Sequence, residues 1–122
     1  MKNSSGTVPT SDQFIKATPQ LMHGFMRALL KALRLVKQNR EVAMDAMMTF
    51  SELDGKSAAR TYNGMIVTFT TNGVVDQETQ NNDLDIVREV LKVTKEVPIE
   101  LAYDFSFAKK ADSELTQVGW KP

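Results

Sequence analysis

Few side chains are suited to catalysis or metal binding, and they lie far apart in the sequence. The chain has one histidine, His23, and no cysteine, which excludes thiolate catalysis and cysteine-ligated metals. At helical spacing the neighbours of His23 are Pro19, Gly24 and Arg27, none of which is an acid or a metal ligand. Because a catalytic or metal site needs several groups that converge, we predict that His23 is a surface histidine.

The acids Asp83 and Asp85 are the next candidates for a metal or an acid–base pair. They are two residues apart in a segment with helical periodicity, so their side chains point to different faces of the helix. We therefore predict that both are solvated surface acids.

The segment "DGKSAAR" resembles the end of a phosphate-binding loop. Phe50 stands where the first glycine of that motif belongs, and a helix precedes the segment instead of a strand. We interpret it as the start of a helix that is capped by Asp54. The sequence thus predicts no catalytic residue, no metal and no cofactor, which argues against an enzyme, and it leaves ligand-binding residues unidentified.

A basic stripe is the best candidate for a binding surface. It consists of Arg27, Lys31 and Arg34, continued by Lys37 and Arg40, and it could hold DNA phosphates or lipid head groups. Residues 1–40 carry seven of the 15 basic residues and one acid, whereas 14 acids lie further along, and the net charge is zero. We expect this stripe to be solvated or paired with those later acids.

The elements that carry these residues are helices. With 122 residues, of which 42% are hydrophobic and 25% charged, the chain has the composition of one soluble globular domain. Residues 1–10 read as an extended lead-in, 11–112 as a helical domain and 113–122 as a loose tail. We predict an all-α bundle of about five helices, covering about residues 11–16, 19–38, 40–50, 54–68 and 76–93, with a further helical segment at 98–105.

The second helix has a wide apolar face, which suits the centre of a bundle. Its main row is Leu21, Phe25, Leu29, Ala32 and Val36, and Met22, Met26, Leu30 and Leu33 widen it. His23 and the basic residues interrupt this stretch, so we predict no membrane insertion. In the helix at 76–93 we expect Leu84, Val87 and Leu91 to point inward.

Six methionines fall on apolar helix faces: Met22, Met26, Met44, Met47, Met48 and Met65. Periodicity favours a place in the core for most of them, and Met-rich surfaces also form adaptable interfaces.

Four segments occur in an order that is typical of one protein family. The first is "SDQFIKATPQLMHGFMRALLKALRLVKQNREVAMDAMMTF", followed by "LDGKSAARTYNGM", "TNGVVDQETQNNDLDIVREVLKV" and "EVPIELAYDFSFAKKA". Together they resemble the C-terminal part of the substrate-binding proteins of ABC importers for nitrate, sulfonates, taurine and thiamine-precursor pyrimidines. The resemblance covers about residues 7–111.

That resemblance implies a specific architecture and role. Proteins of the family have two α/β lobes with a small anionic or heterocyclic ligand between them, and this chain resembles the helical C-terminal portion that packs on the first lobe. The segment "GTVPTS" would correspond to a crossover strand. The expected partner of the whole protein is an ABC permease, and its expected location is the periplasm.

The start "MKNSSGTVPTSDQ" lacks the apolar run of a signal peptide, so a chain expressed alone would be expected in the cytoplasm. We expect the chain to be a fragment, a truncated reading frame or a helical half that has become independent.

Three functional hypotheses remain open from the sequence. The leading one is the helical portion of a substrate-binding protein. The alternative is a free-standing helical module that forms a homo-oligomer through the Met-rich faces and binds no solute. A third, in which the basic stripe binds nucleic acid, predicts salt-dependent DNA binding that alanine at Arg27 and Lys31 would weaken.

Overall fold

The computed structural model of the chain describes residues 2–4 and 6–122; within those ranges it contains seven α-helices and no β-strand. The predicted all-α class is confirmed. Met1 and Ser5, which belong to the expected lead-in, lie outside the described residues. The helices are α1 (Asp12–Ala17), α2 (Pro19–Gln38), α3 (Arg40–Phe50), α4 (Gly55–Met65), α5 (Gln77–Leu91), α6 (Ile99–Ala102) and α7 (Ser106–Gln117), and a 3-10 helix (Ile66–Thr68) extends α4.

Short polar side chains set where several helices begin. Ser11 caps α1, Asn39 caps α3, Asp54 caps α4 and Asp76 caps α5, each by accepting a hydrogen bond from a backbone N–H of the first turn. Thr18 differs from this pattern, because its hydroxyl donates to the carbonyl of Phe14 at 2.8 Å. The start of α2 therefore depends on Pro19, whose ring suits the first helical position.

The C-terminal segment differs from the expected loose tail. Helix α7 continues to Gln117, and Ala108, Ala111 and Leu115 are buried along one side of it. These residues recur at steps of three and four, and two of them are alanines, so α7 can lie close against α2. The helical segment expected at 98–105 is correspondingly shorter, because α6 ends at Ala102.

Helix α2 is the centre of the packing, as predicted, and it contacts α7, α3 and α1. The core cluster consists of Leu30, Ala111 and Leu115, which are fully buried, with Met26, Leu33 and Trp120 packed against it. The buried side of α2 is thus the row that includes Met22 and Leu30. Leu21 and Phe25, on the row expected to face inward, are 61% and 45% exposed.

A tight turn brings the chain from α4 back to this core. Gly73 has a φ of +72°, and its position leaves little room, because an added Cβ would lie 3.1 Å from Leu30 Cδ2. The backbone N–H of Gly73 donates to Thr70 Oγ1 at 3.0 Å, and that of Val74 donates to Asn72 Oδ1 at 3.1 Å. Asn72 and Gly73, a pair that is common in tight turns, thus reverse the chain at this point.

Candidate functional site

The basic stripe of α2 lies under α7 and is engaged with it. Arg34 donates to Asp112 Oδ1 at 2.6 Å, and Arg27 Nε lies 3.7 Å from Glu114 Oε2. The ammonium of Lys31 lies over the ring of Trp120, 5.5 Å from its centroid. The expected pairing with later acids is therefore confirmed for Arg27 and Arg34.

This arrangement follows from where α7 crosses α2. Helix α7 lies over the boundary between two rows of α2, the apolar row that includes Met22 and Leu30 and the basic stripe. One side of α7 therefore packs on apolar side chains, and the other side faces cations. Its acids Asp112 and Glu114 face those cations. Three cations of the stripe thus help to position a helix, which leaves fewer of them for the DNA phosphates of the nucleic-acid hypothesis.

His23 lies in the same contact, in contrast to the predicted surface position. Its side chain is half-buried, and its Nε2 lies 2.8 Å from Glu114 Oε2. The prediction considered only neighbours along the helix, whereas the acid comes from a residue 91 positions further along the chain. The other ring nitrogen, Nδ1, is buried without a hydrogen-bond partner among the described residues.

The phosphate-loop interpretation was rejected from the sequence, and the structure assigns those residues to a helix cap. Asp54 Oδ1 accepts hydrogen bonds from the backbone N–H groups of Lys56 and Ser57, at 2.9 and 3.0 Å. The amides that would hold a phosphate are thus occupied by the capping carboxylate.

Asp83, predicted to be a solvated acid, joins three parts of the chain. Its carboxylate accepts hydrogen bonds from the backbone N–H of Ser4 at 2.9 Å, from the Ser4 hydroxyl at 2.5 Å and from the Tyr103 hydroxyl at 2.9 Å. Partial burial opposes ionisation, but these donors outweigh it and hold the pKa of Asp83 below its usual range. Burial and the negative charge of Asp83 raise the pKa of Tyr103 to about 12.

Two more contacts fix the N-terminal segment on α5. Asn82 Nδ2 donates to the carbonyl of Lys2 at 2.6 Å, and the Lys2 ammonium pairs with Asp76. The hydrogen bond from Lys2, followed by those from Thr79, lowers the pKa of Asp76 to about 2. Asp85, in contrast, is exposed as predicted and lies 3.5 Å from Arg88 on its own helix.

Large apolar side chains cover much of the remaining surface. On α5, Val90 and Leu91 are 72% and 65% exposed, and Val87 is half exposed, so the expected inward direction of Val87 and Leu91 is wrong. Phe50 at the end of α3 and Leu101 on α6 are even more exposed. Met22 is buried inside the chain, and Met26 packs against the core, so these two methionines are not available to a partner.

The total surface area of the chain is larger than that of a compact monomer of the same mass. The chain exposes 8863 Å², whereas a compact monomer of 13.6 kDa is expected to expose about 6,600 Å². The excess is about 2,300 Å², and the extended N-terminal segment accounts for part of it. One side of a standard protein–protein interface buries about 800 Å², so the excess is large enough for a permanent interface.

The described residues bring together no set of three or more histidine, aspartate or glutamate side chains that could hold a metal ion. Within the same part of the chain, no helix has the length and apolarity that crossing a membrane requires. No protein-family model, curated protein or solved structure matches the chain.

Proposed function

We propose that this chain is the helical C-terminal portion of the substrate-binding protein of an ABC importer, and that its apolar faces cover a second lobe. The observation that carries the proposal is the excess surface of about 2,300 Å², in which Leu21, Phe25, Val90 and Leu91 are exposed. The resemblance of the four ordered segments described above supports this choice of family.

The distribution of the exposed residues supports a partner larger than a peptide. They lie on α2, α5 and α6, that is, on elements from the beginning, middle and end of the chain. A groove-binding helix or strand would cover one element, whereas a folded lobe can cover several. In this proposal the chain contributes to the capture of a small organic anion or heterocycle in the periplasm, and it performs no catalytic step.

The direct test is the size of the native protein in its own cells, measured with an antibody against residues 76–111. These residues include the exposed α5 and α6, so they are suited to raise a response. The proposal expects a band of more than twice 13.6 kDa, recovered from the periplasm or the culture medium. A band at the size of the chain itself, recovered from the cytosol, would contradict it.

A second candidate is a free-standing helical module that forms a homo-oligomer. The same excess area favours it, because obligate homodimers bury 1,000 Å² or more on each partner, by the order of magnitude known for such interfaces. The exposed faces of α2 and α5 would then meet their symmetry mates. The second candidate predicts an oligomeric mass in light scattering at about micromolar concentration, because interfaces of standard size remain associated in that range. A monomeric mass would exclude this candidate.

A further inference from the structure

The segment from α5 to α6, residues 77–103, is held loosely by the other helices, and we refer to it as the arm. Among the described helices, α5 packs appreciably only against α6, whereas α2 packs against α7, α3 and α1. An open groove of about 500 Å³ separates the arm from the start of α7, with Gln77, Tyr103 and Lys109 among its lining residues. Side-chain packing alone therefore does little to fix the position of the arm.

The strongest contacts of the arm are instead with the N-terminal segment, residues 2–4. Ser4 gives Asp83 two hydrogen bonds, and Asn82 donates to the Lys2 carbonyl. The partners in these contacts are 79 or 80 positions apart in the sequence. Hydrogen bonds to an ionised carboxylate are roughly twice as strong as neutral ones. The two hydrogen bonds to Asp83 therefore stabilise the position of the arm more than two neutral hydrogen bonds would.

The carboxylate of Asp83 also fixes α6. Its Oδ2 accepts from both the Ser4 hydroxyl and the Tyr103 hydroxyl, so one oxygen joins the N-terminal segment, α5 and α6. The ring of Tyr103 stacks on that of Phe105, with 5.6 Å between the centroids, immediately before α7 begins. A change at Asp83 would therefore reach the start of α7 through a single side chain.

We infer that residues 2–4 form a latch, closed at Asp83, that ties the arm to the N-terminal segment and, through the chain, to α1. With the latch open, the arm keeps few contacts to the other described helices, and it can change its position without disturbing the α2–α7 core. The inference goes beyond the proposed function and does not depend on it, because it concerns contacts within the chain. A partner that binds the arm can therefore release the arm from residues 2–4 or hold it in a new position.

The test is amide hydrogen exchange, measured by NMR on the full chain carrying Asp83→Ala. The matched control is Asp85→Ala, two residues away on the same helix, where the carboxylate pairs with Arg88 alone among the described residues. Alanine favours a helix at both positions, so a difference between the variants reports the hydrogen bonds of Asp83. We expect the amides of Ser4 and Tyr103 to exchange about tenfold faster or more in Asp83→Ala, the effect of losing charge-assisted hydrogen bonds.

The amide of Trp120 serves as the internal reference, because it donates to the Leu115 carbonyl next to the core. Its exchange should be unchanged in both variants. Equal acceleration at Trp120 would mean that Asp83 stabilises the whole fold, and unchanged exchange at Ser4 and Tyr103 would mean that there is no latch. Either result overturns the inference.

A second variant, Tyr103→Phe, separates the two sides of the latch. It removes the hydrogen bond to α6 and leaves both hydrogen bonds from Ser4 in place. We expect faster exchange at residue 103 with the Ser4 amide unaffected. Unchanged exchange at residue 103 would mean that the Tyr103 hydroxyl does not hold α6 to Asp83, which would contradict this side of the latch.

Discussion

Gly73 allows the chain to turn directly against the core. Its φ of +72° is a conformation that costs other residues about 1–2 kcal/mol, and an added Cβ would also contact Ala108 Cβ at 3.5 Å. The helical glycine Gly24 is in the opposite situation, because nothing lies within 4 Å of the place its Cβ would occupy. Substitution of Gly73 therefore tests the cost of the backbone conformation and of the limited space, whereas substitution of Gly24 tests helix propensity.

We expect Gly73→Ala to lower the free energy of unfolding by about 1–2 kcal/mol, and by more if Leu30 cannot move aside. Gly24→Ala should raise the free energy of unfolding by about 0.5–1 kcal/mol, because alanine is the better helix former. Urea denaturation of both variants measures the difference. A neutral Gly73→Ala would mean that the turn is not held against Leu30.

At the scale of elements, the pair α2–α7 stabilises the fold. Leu115 is fully buried between these helices, whereas Leu101 on α6 is 79% exposed. We expect Leu115→Ala to lower the free energy of unfolding by about 2–5 kcal/mol, because it removes buried carbon and leaves a cavity. Leu101→Ala should change it by less than about 0.5 kcal/mol.

Thermal or urea denaturation distinguishes the two leucine variants. Both lose the same atoms, so only their surroundings differ. Equal losses of stability would contradict the assignment of the core to α2 and α7.

The sequence predicts most elements but not their packing. Caps at Ser11, Asn39, Asp54 and Asp76 define helix starts locally, so the structure begins these helices where the sequence predicts. Helix α7 was missed because its apolar side consists largely of alanines, although the spacing of Ala108, Ala111 and Leu115 already indicated a helix.

Because α7 was not predicted from the sequence, some predictions for the candidate site were also wrong. A helical wheel shows that α2 has an apolar row beside a cationic row, but it does not show which neighbour lies over the boundary between them. Once α7 occupies that boundary, His23 and Arg34 become half-buried, and Leu21 turns to the surface. The junction at Asp83 depends on Ser4, 79 positions away, and on Tyr103, 20 positions away, and helical periodicity carries no information at either distance.

For the whole molecule, the uncovered apolar surface has consequences in solution. Val90 and Leu91 lie side by side on α5 and contribute little to its packing. We expect the isolated chain to self-associate and expect the double substitution Val90→Glu/Leu91→Glu to abolish that association, because it places two charges in an apolar contact. Light scattering over a range of concentrations measures the effect.

The control for this variant is Asn81→Glu, which adds a charge at an exposed polar position of the same helix. Stability in urea should be nearly the same for both, because neither position is part of the core. A chain that remains oligomeric with glutamates at 90 and 91 would place the interface elsewhere, and the face with Leu21 and Phe25 would be the next to test.

The packing of α7 on α2 also determines when the molecule can fold. Helix α2 leaves the ribosome before its main partner α7, and contacts such as His23 with Glu114 span 91 positions. Until α7 has been synthesised, the row of Met22 and Leu30 lacks its main partner helix, and the nascent chain exposes it to chaperones and to other chains. A chain that stops within α7 before Leu115 would lose both Leu115 and Trp120 from the core cluster.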